Sequence, residues 1–365
     1  MPITHLSITQ VRNLSQATMT LSPNINIFFG QNGSGKTSVL EAVHLLGLAK
    51  SFKPARTRSM IQWDQDESVV FCKVGEAQLP VGISRRKDGK HHVKISGEPA
   101  KSTAELAELL PVQLINSDAF LLLEGSAKNR RQFLDWGVFH VEHTFFQEWQ
   151  RLQKSLNNRN VLLRSGKITD PLRDTWDQEF AQAATEVDRL RQRYLSGFVK
   201  EFERVLALLI DLPDLKLHYT RGWDKTKSIE EVLKKNIHRD IKSGFTNAGP
   251  QRADMKLKLR GELACDVLSR GQQKLVVCAL KLAQGYYLSK QVSKQSIYLI
   301  DDLPSELDKR HISLMCELLE GMDAQAFITC IEQQQLSTSW QRHQPKMFHV
   351  EHGRIESVSE NGVQL

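Results

Sequence analysis

The chain has 365 residues, of which 40% are hydrophobic and 25% charged, which is typical of a globular protein and excludes a fibrous or largely disordered one. Lysine and arginine number 49 against 42 aspartate and glutamate residues, so the formal net charge of +7 only weakly favours a polyanionic partner such as nucleic acid. The five cysteines are scattered without a CxxC pair, and neither a signal peptide nor an apolar run of about 18 residues is evident. We therefore expect a cytoplasmic protein with no membrane association.

The N-terminal part of the chain predicts strands and one early helix. Near-alternate apolar residues predict strands around residues 6–11 and 19–21, and the apolar run 25–29 predicts a buried strand that ends at Gly30. From Thr37 the apolar spacing changes to three and four residues, which predicts a helix. Further strands are predicted at residues 68–74, 79–84, 91–96 and 111–115.

The middle of the chain has a different character. Residues 128–163 and 171–210 carry apolar side chains at helical spacing, which predicts an antiparallel pair of helices. Strand and helix patterns alternate again afterwards, with strands predicted at 214–221, 255–263, 297–300 and 326–330 and helices at 228–243 and 270–290. The fold class predicted is therefore α/β with an inserted, mainly helical second lobe. The expected divisions are residues 1–119 and 213–365 for the two halves of the α/β domain and 120–212 for the lobe.

The strongest motif follows the first buried strand and matches the phosphate-binding pattern G-x-x-x-x-G-K-[ST] in full. It comprises Gly30, Gln31, Asn32, Gly33, Ser34, Gly35, Lys36 and Thr37, and Ser38 follows it in the predicted helix. Glycines let a backbone wrap closely around phosphate with its N–H groups inward, and the helix start adds positive potential. We expect Lys36 to reach the terminal phosphates of a nucleotide and Thr37 to contribute a hydroxyl to Mg²⁺. The alternative is a glycine-rich turn with a chance lysine.

A second motif lies at the end of the predicted strand 297–300. Asp301 and Asp302 follow four apolar residues, so they would lie at the carboxyl end of a buried strand, where ligands bind in open α/β sheets. Asp301 is expected to complete the Mg²⁺ site with Thr37, and Asp302 to orient or deprotonate an attacking water. A plain strand terminus is the alternative.

The third motif begins at Leu268 and precedes a predicted helix. Ser269 and Gly271 would present a hydroxyl and backbone N–H groups at the helix start, a second anion-binding end, and Gln272 is a further candidate there. One phosphate loop already serves a nucleotide in this chain, so this end is expected to face the loop of another subunit. The alternative is a serine that only caps its own helix.

These three motifs, G-x-N-G-S-G-K-T, L-S-x-G-Q-Q-K and D-D-L-P-S-E-L-D, resemble those of the ABC-type ATPases of chromosome maintenance, and above all the RecF family of bacterial recombination mediators. Further segments carry the resemblance over nearly the whole chain: residues 11–14, 130–136 and 249–254. Two positions depart from the expected patterns. Gln251 stands where such families usually have histidine, and Asp302 is a shorter carboxylate than the glutamate of ABC transporters, which fits slow hydrolysis.

The resemblance implies an ABC-type ATPase head with a mixed sheet and an inserted helical lobe. It implies a homodimer that forms when ATP and Mg²⁺ are held between the phosphate loop of one subunit and the Ser269 segment of the other. It also implies binding to single-stranded, double-stranded and gapped DNA, work with RecO and RecR in loading recombinase, and links to replication, DNA damage repair and the SOS response. We expect a slow, DNA-stimulated ATPase.

Weaker candidates complete the predicted site. Gln113 is a candidate for a catalytic glutamine that senses metal and water, and Arg12 and Asn13 are candidates for the adenine side of the pocket. Each has a plain structural alternative. DNA could be contacted by basic residues near 50–58, near 85–90 or near 128–131, although each group is also typical of a solvated face. The competing functions are an SMC-like structural clamp head, which needs much longer coiled-coil arms, and the nucleotide-binding subunit of a membrane transporter.

Overall fold

The computed structural model describes residues 1–53, 57–165, 170–336 and 339–358. Its contacts divide the chain into two units, one formed by Met1–Ala119 with Leu288–Leu365 and the other by Phe120–Tyr287. The first unit is thus assembled from both ends of the chain, with the second inserted between them in sequence. The division into residues 1–119, 120–212 and 213–365 that the sequence led us to expect stays a prediction.

The strands, in chain order, are β1 (Ile3–Val11), β2 (Leu14–Thr20), β3 (Ile25–Phe29), β4 (Glu67–Val74), β5 (Leu79–Arg86), β6 (His91–Ile95), β7 (Glu98–Pro99), β8 (Val112–Ile115), β9 (Leu215–Thr220), β10 (Asp254–Leu259), β11 (Glu262–Leu263), β12 (Ile297–Ile300), β13 (Gln325–Cys330), β14 (Lys346–Glu351) and β15 (Arg354–Val358). The α-helices are α1 (Lys36–Leu48), α2 (Thr103–Leu109), α3 (Ala127–Val141), α4 (Phe145–Ser165), α5 (Asp170–Leu209), α6 (Ile229–Ser243), α7 (Ala264–Val267), α8 (Arg270–Val292), α9 (Leu303–Glu306) and α10 (Lys309–Gly321).

A mixed sheet in the first unit positions the candidate site. Its strand order is β15-β14-β3-β13-β12-β8, and every neighbouring pair is parallel except β14 with β15. Strands β12 and β13 are buried along their whole length, as continuous apolar strands in a parallel sheet must be. Because β3, β12 and β13 run in the same direction, the residues that follow them meet at one edge of the sheet.

A second, antiparallel sheet completes the first unit. Its order is β2-β1-β4-β5-β6-β7, and its apolar face shares one core with helix α1 and with residues of the mixed sheet. The buried Gln325 of β13 joins the two sheets, since its side chain accepts from the Ile3 N–H at 2.8 Å and donates to the Ile3 carbonyl oxygen at 2.7 Å.

The second unit is mainly helical and carries its own core. Helix α5 runs for 40 residues and turns a regular stripe inward, with Phe180, Val187, Tyr194, Phe198 and Phe202 all buried. The region 128–163, predicted as one helical stretch, forms α3 and α4, which are separated at residues 142–144. This unit also contains a three-stranded antiparallel sheet of order β11-β10-β9, the helices α6 and α7, and α8 as far as Tyr287.

Candidate nucleotide site

The phosphate loop, residues 30–37, connects β3 to α1 as predicted from its sequence. Gly30 and Gly35 adopt φ angles of 146° and 123°, which L side chains rarely adopt. A Cβ on Gly30 would lie 2.2 Å from the carbonyl oxygen of Val350 in β14, so no larger residue fits there. By contrast, Gln31, Asn32 and Gly33 at the tip are exposed. The loop is therefore held rigidly at its base and open at its tip.

Lys36 lies inside this loop. Its ammonium group donates to the carbonyl oxygens of Gly30 at 2.6 Å and Gln31 at 2.9 Å. Burial lowers the pKa of Lys36, while the Asp302 and Asp301 carboxylates act in the opposite direction. Lys36 thus forms part of the loop's interior, and its charge is partly balanced by the two aspartates.

The hydroxyl of Thr37 and the carboxylate of Asp301 meet across the sheet edge. Thr37 Oγ1 donates toward the two Asp301 oxygens at 3.0 and 3.2 Å, although the residues are 264 positions apart. Thr329 Oγ1 donates to Asp301 Oδ1 at 2.8 Å. Thr37 and Asp301 are the pair predicted to hold a metal, and the structure brings them together. Thr329 was not among the predicted residues, and its place one residue before the end of a buried strand was the only signal for it.

Asp302 follows with its backbone in the left-handed region, at φ 54°. Its N–H donates to Thr329 Oγ1 at 2.7 Å, and its carboxylate accepts from the Ser305 hydroxyl at 2.6 Å. The neighbouring thiol of Cys330 is buried, and burial raises its pKa to about 12, so that thiol stays protonated near neutral pH. Asp302 is thus held at the edge of the sheet by Thr329 and Ser305. Its predicted role in orienting or deprotonating an attacking water stays a prediction.

Asn13 lies in the turn between β1 and β2, and its side chain forms hydrogen bonds to the phosphate loop. Its amide nitrogen donates to the carbonyl oxygens of Gly33 at 3.2 Å and Ser34 at 3.0 Å, and its amide oxygen accepts from the Ser38 hydroxyl at 3.0 Å. All these contacts hold the loop in shape. The adenine contact predicted for Asn13 stays a prediction.

Arg12 binds a carboxylate of helix α1 and does not contact the phosphate loop in the way that Asn13 does. Its guanidinium binds the fully buried carboxylate of Glu41 through two hydrogen bonds, at 2.9 and 2.8 Å, and also donates to the Ser59 carbonyl oxygen. The arginine therefore anchors helix α1 to the strand β1 in this structure. Its predicted adenine contact remains untested.

Gln113 lies within β8, buried and level with Tyr298 in the register of β8 with β12. The residue level with Asp301 is Asn116, since Ile115 pairs with Ile300 and its carbonyl oxygen accepts from the Asp301 N–H. The catalytic role predicted for Gln113 stays a prediction, and Asn116 is the polar residue that the fold presents at the strand end.

The loop fits a phosphate-bearing ligand. The Ser34 hydroxyl is buried and has no hydrogen-bond partner within the described parts of the chain. Those same parts contain no group of three or more histidine, cysteine, aspartate or glutamate side chains arranged to hold a metal. A cation at Thr37 and Asp301 would therefore need further oxygen ligands from phosphate and water, as magnesium sites in nucleotide-binding proteins commonly do.

The Ser269 segment belongs to the second unit. There Gln272 Oε1 accepts from the Ser269 N–H at 2.9 Å, and the Gln272 N–H donates to Ser269 Oγ at 3.3 Å. This reciprocal pair is a capping box at the start of α8. A Cβ on Gly271 would meet nothing within 4 Å. The helix start is therefore capped within its own chain and open beside Gly271, and its predicted contact with a second subunit stays a prediction.

Two residues of the basic group near 128–131, which was considered for DNA binding, have partners within the second unit. Arg130 is buried and binds the Asp254 carboxylate through two hydrogen bonds, at 2.7 and 3.0 Å, and Arg131 donates to the Ala253 carbonyl oxygen. Asp254 is far from these two residues in sequence but adjacent in the fold. The DNA contact considered for the group near 128–131 stays a prediction. In the group near residue 50, Arg56 and the side chain of Arg58 lie outside the described residues.

The strand order and the phosphate loop define the class of fold, an α/β head of the kind found in SMC proteins. The solved structure of SmcHead bound to the C-winged helix domain of ScpA is similar to this chain with a TM-score of 0.59, at 15% identity and covering 99% of this chain and 98% of that one. A structure of the recombination mediator protein RecF with ATP in the RecFOR pathway is similar with a TM-score of 0.86, at 20% identity and 98% coverage of each chain.

Sequence relatives narrow the class further. A family model described as the RecF/RecN/SMC N terminal domain matches residues 2–356. The DNA replication and repair protein RecF of Pseudomonas fluorescens is 51% identical over 365 residues, covering 99% of this chain and 100% of that protein. The chain therefore belongs to the RecF family of DNA replication and repair proteins. The predicted fold class and family are confirmed, and this membership favours the repair function over a clamp head or a transporter subunit. Among the described helices, none combines the length and apolar character needed to span a membrane.

Proposed function

We propose that this chain is a cytoplasmic, slow, DNA-stimulated ATPase that binds ATP and Mg²⁺ at the phosphate loop and acts as a switch in recombinational repair. The observation that carries the proposal is the hydrogen-bonded set of Thr37, Asp301 and Thr329 beside Lys36 in the loop. These are the residue types that phosphoryl transfer requires, at the carboxyl edge of a parallel sheet. The 51% identity to a RecF protein supports the same function.

The chain's own residues divide the work. Magnesium, when bound with ATP, would neutralise charge on the phosphates. Lys36 is positioned to move from the Gly30 and Gln31 carbonyl oxygens to the terminal phosphates, and Thr37 with Asp301 would hold the metal. Asp302 would orient the attacking water and accept its proton, with its carboxylate fixed by Ser305. A single carboxylate of this length favours slow turnover.

We propose further that two copies pair around ATP, with Ser269 and Gly271 of one copy closing the phosphate loop of the other. The open space beside Gly271 and the position of Ser269 at the start of a 23-residue helix support this proposal. The paired form would bind single-stranded, double-stranded or gapped DNA and work with RecR and RecO in loading recombinase. Support for these partners comes from the name of the relative and from the RecFOR pathway to which the similar solved structure belongs.

Pairing can be tested by measuring molecular mass in solution with Mg²⁺ and ATP, in the presence of excess DNA. The wild type is expected to form dimers only with ATP. Lys36→Met should remove ATP binding and dimers, and Lys36→Arg should weaken pairing while keeping part of the ATP binding, because a guanidinium cannot reproduce the ammonium contacts. Ser269→Arg should bind ATP normally and stay monomeric. A Ser269→Arg protein that still pairs with ATP would overturn the proposed arrangement.

The chemical step needs a separate measurement. Asp302→Asn keeps the size of the side chain and its hydrogen bond from Ser305 but cannot accept a proton. We expect hydrolysis to fall by at least about 100-fold, as for loss of a general base, while ATP-driven pairing persists. A variant with unchanged turnover would assign proton transfer to another group.

A further inference from the structure

Helix α6 carries five basic side chains on one face. They are Lys234, Lys235, His238, Arg239 and Lys242, and all five are exposed. At 100° per residue these positions fall within an arc of about 140°. Over about 12 Å of helix, the solvent-facing side therefore presents four lysine or arginine side chains with His238 among them.

The opposite face of α6 is fixed in the core of the second unit. Ile229, Val232 and Leu233 are buried there. Asp240, also buried, accepts from Arg159 at 2.8 Å and from Asn247, so this acidic group is turned inward. The helix cannot rotate to hide its basic face without losing these contacts.

The exposed acidic residues of α6 lie near its start, four residues before Lys234 and Lys235, and none lies beside the later basic residues. Glu230 and Glu231 lie in the first turn, and Glu231 is engaged in a capping box with Ser228. Within the described residues, none of the five basic side chains has an ion pair. Other basic residues of the same unit are paired, among them Arg151, Arg159, Arg191, Arg204 and Lys216.

Repulsion between like-charged side chains on α6 lowers the stability of the helix. Lys235 and Arg239 are like charges four residues apart, a spacing that destabilises a helix. The helix dipole offsets positive charge only in the last turn, where Lys242 lies. A bound polyanion would relieve this repulsion.

An aromatic side chain adjoins the same end of the helix. Gly244 ends α6 in the left-handed conformation, and Phe245 directly after it is 42% exposed. The guanidinium of Arg252, also exposed, lies 5.4 Å from the centroid of the Phe245 ring. A stacked arginine and aromatic ring beside a row of cations is the combination that binds unpaired bases along a phosphate backbone.

We propose that the basic face of α6 binds the sugar-phosphate backbone of DNA, and that Phe245 with Arg252 contacts an unpaired base at its end. About 12 Å of helix matches roughly three to four nucleotide steps of one strand. This inference rests on the proposed DNA binding and assigns it to a surface that was not among the basic groups expected from the sequence.

The test compares two triple variants with the same change in net charge. The first is Lys235→Gln, Arg239→Gln and Lys242→Gln. The matched control is Lys101→Gln, Lys154→Gln and Lys200→Gln, three exposed lysines that have no ion pair within the described residues. Glutamine has nearly the same helix propensity as lysine and arginine, so both proteins should fold, which circular dichroism and thermal unfolding will check.

Binding to single-stranded and duplex oligonucleotides is measured by fluorescence anisotropy at salt concentrations from 50 to 300 mM. Each lost phosphate contact lowers the slope of log affinity against log salt by about 0.7 to 0.9. We expect the α6 variant to lose about two units of slope and about 10- to 100-fold in affinity at 100 mM salt, and the control to change little. ATP binding should be unchanged in both variants.

The outcomes separate the two proposals. If the wild type binds no DNA with or without ATP, the proposed function fails. If the wild type binds DNA and the α6 variant behaves like the control, the function stands and the assignment to α6 is overturned. A parallel titration uses polyglutamate, and a loss of polyglutamate binding alone would identify an acidic polypeptide as the partner and would also overturn the assignment.

A further variant tests the aromatic contact. Phe245→Ala is expected to weaken the binding of single-stranded DNA about 5- to 30-fold, because stacking requires an unpaired base. The affinity for duplex DNA and the salt slope should be unchanged. Phe245→Trp should restore the binding. Equal losses for both kinds of DNA would remove the base contact from the proposal.

Discussion

The hydroxyl of Thr329 joins the two aspartates of the candidate site. It donates to the Asp301 carboxylate and accepts from the Asp302 N–H, and it is itself buried. Thr329 therefore positions Asp301 toward Thr37 without belonging to any recognisable motif. A residue of this kind is visible only when β12 and β13 are placed side by side.

Replacing Thr329 by valine keeps the shape of the side chain and removes both hydrogen bonds. We expect ATP hydrolysis to fall about tenfold and to require more Mg²⁺, because Asp301 loses its support, and we expect stability to fall by about 1–3 kcal/mol. Hydrolysis is measured across a Mg²⁺ titration, with ATP binding in EDTA as the reference. Thr329→Ser should behave like the wild type. An unchanged Mg²⁺ requirement in Thr329→Val would show that the threonine is only structural.

Glu320 illustrates a buried carboxylate held by backbone donors. It accepts from the N–H groups of Gln341, Arg342 and His343, at 2.9 to 3.2 Å. Burial by itself would raise the pKa of Glu320, but these donors outweigh it, and the pKa lies below its ordinary value of 4.5. A lowered folded-state pKa contributes stability above the ordinary value, and that contribution is lost as pH falls through the folded-state value.

Glu320→Gln is therefore expected to lower the unfolding temperature at pH 7, by about 2–6 °C for a loss of about 1–3 kcal/mol. The difference from the wild type should persist down to about pH 4.5 and narrow below it. Thermal unfolding of both proteins from pH 3 to pH 7 measures this difference. A difference that is the same at both ends of the range would rule out the carboxylate as its cause.

At the scale of elements, close packing overrides helix propensity. Gly137 lies inside α3, where a Cβ would be 2.2 Å from the hydroxyl oxygen of Tyr194. Tyr194 is buried and stacked on Phe198, so it cannot move aside. The propensity scale favours alanine over glycine by about 1 kcal/mol, but overpacking a core costs about 1–3 kcal/mol.

Gly137→Ala is expected to destabilise the protein by up to about 2 kcal/mol, the difference between these two effects. Gly271→Ala is the matched control in another helix, because nothing lies within 4 Å of its added methyl group, and it should be neutral or slightly stabilising. Chemical denaturation of the two variants decides between packing and propensity. If Gly137→Ala and Gly271→Ala are equally stable, Tyr194 adopts another rotamer that makes room for the added methyl group.

At the scale of the whole molecule, binding of the proposed ligand at the phosphate loop should stabilise the protein against unfolding. Mg²⁺ and ATP at 100 times the dissociation constant would stabilise the folded protein by about 2.7 kcal/mol if they bind only the folded form. Thermal unfolding with and without nucleotide measures this effect. Lys36→Met should abolish the shift, while Ser269→Arg should keep it at protein concentrations too low for pairing. A shift that survives Lys36→Met would place ATP binding outside the phosphate loop.

Features that depend on neighbours along the chain could be predicted from the sequence. The phosphate loop could be predicted because the residues 30–37 are contiguous. The buried strands could be predicted because residues 297–300 and 326–330 are all hydrophobic or small. The motif set also sufficed to identify the family.

Contacts between residues that are distant in sequence could not be predicted and became visible in the fold. Thr329 beside Asp301, Glu41 beside Arg12, and Asp254 beside Arg130 follow from strand order and helix packing, which local periodicity does not encode. The same holds for β14, which lies next to β3 and closes on Gly30 through Val350. Hydrogen bonds and ion pairs act over a few ångströms of space, whereas sequence patterns report only the separation along the chain.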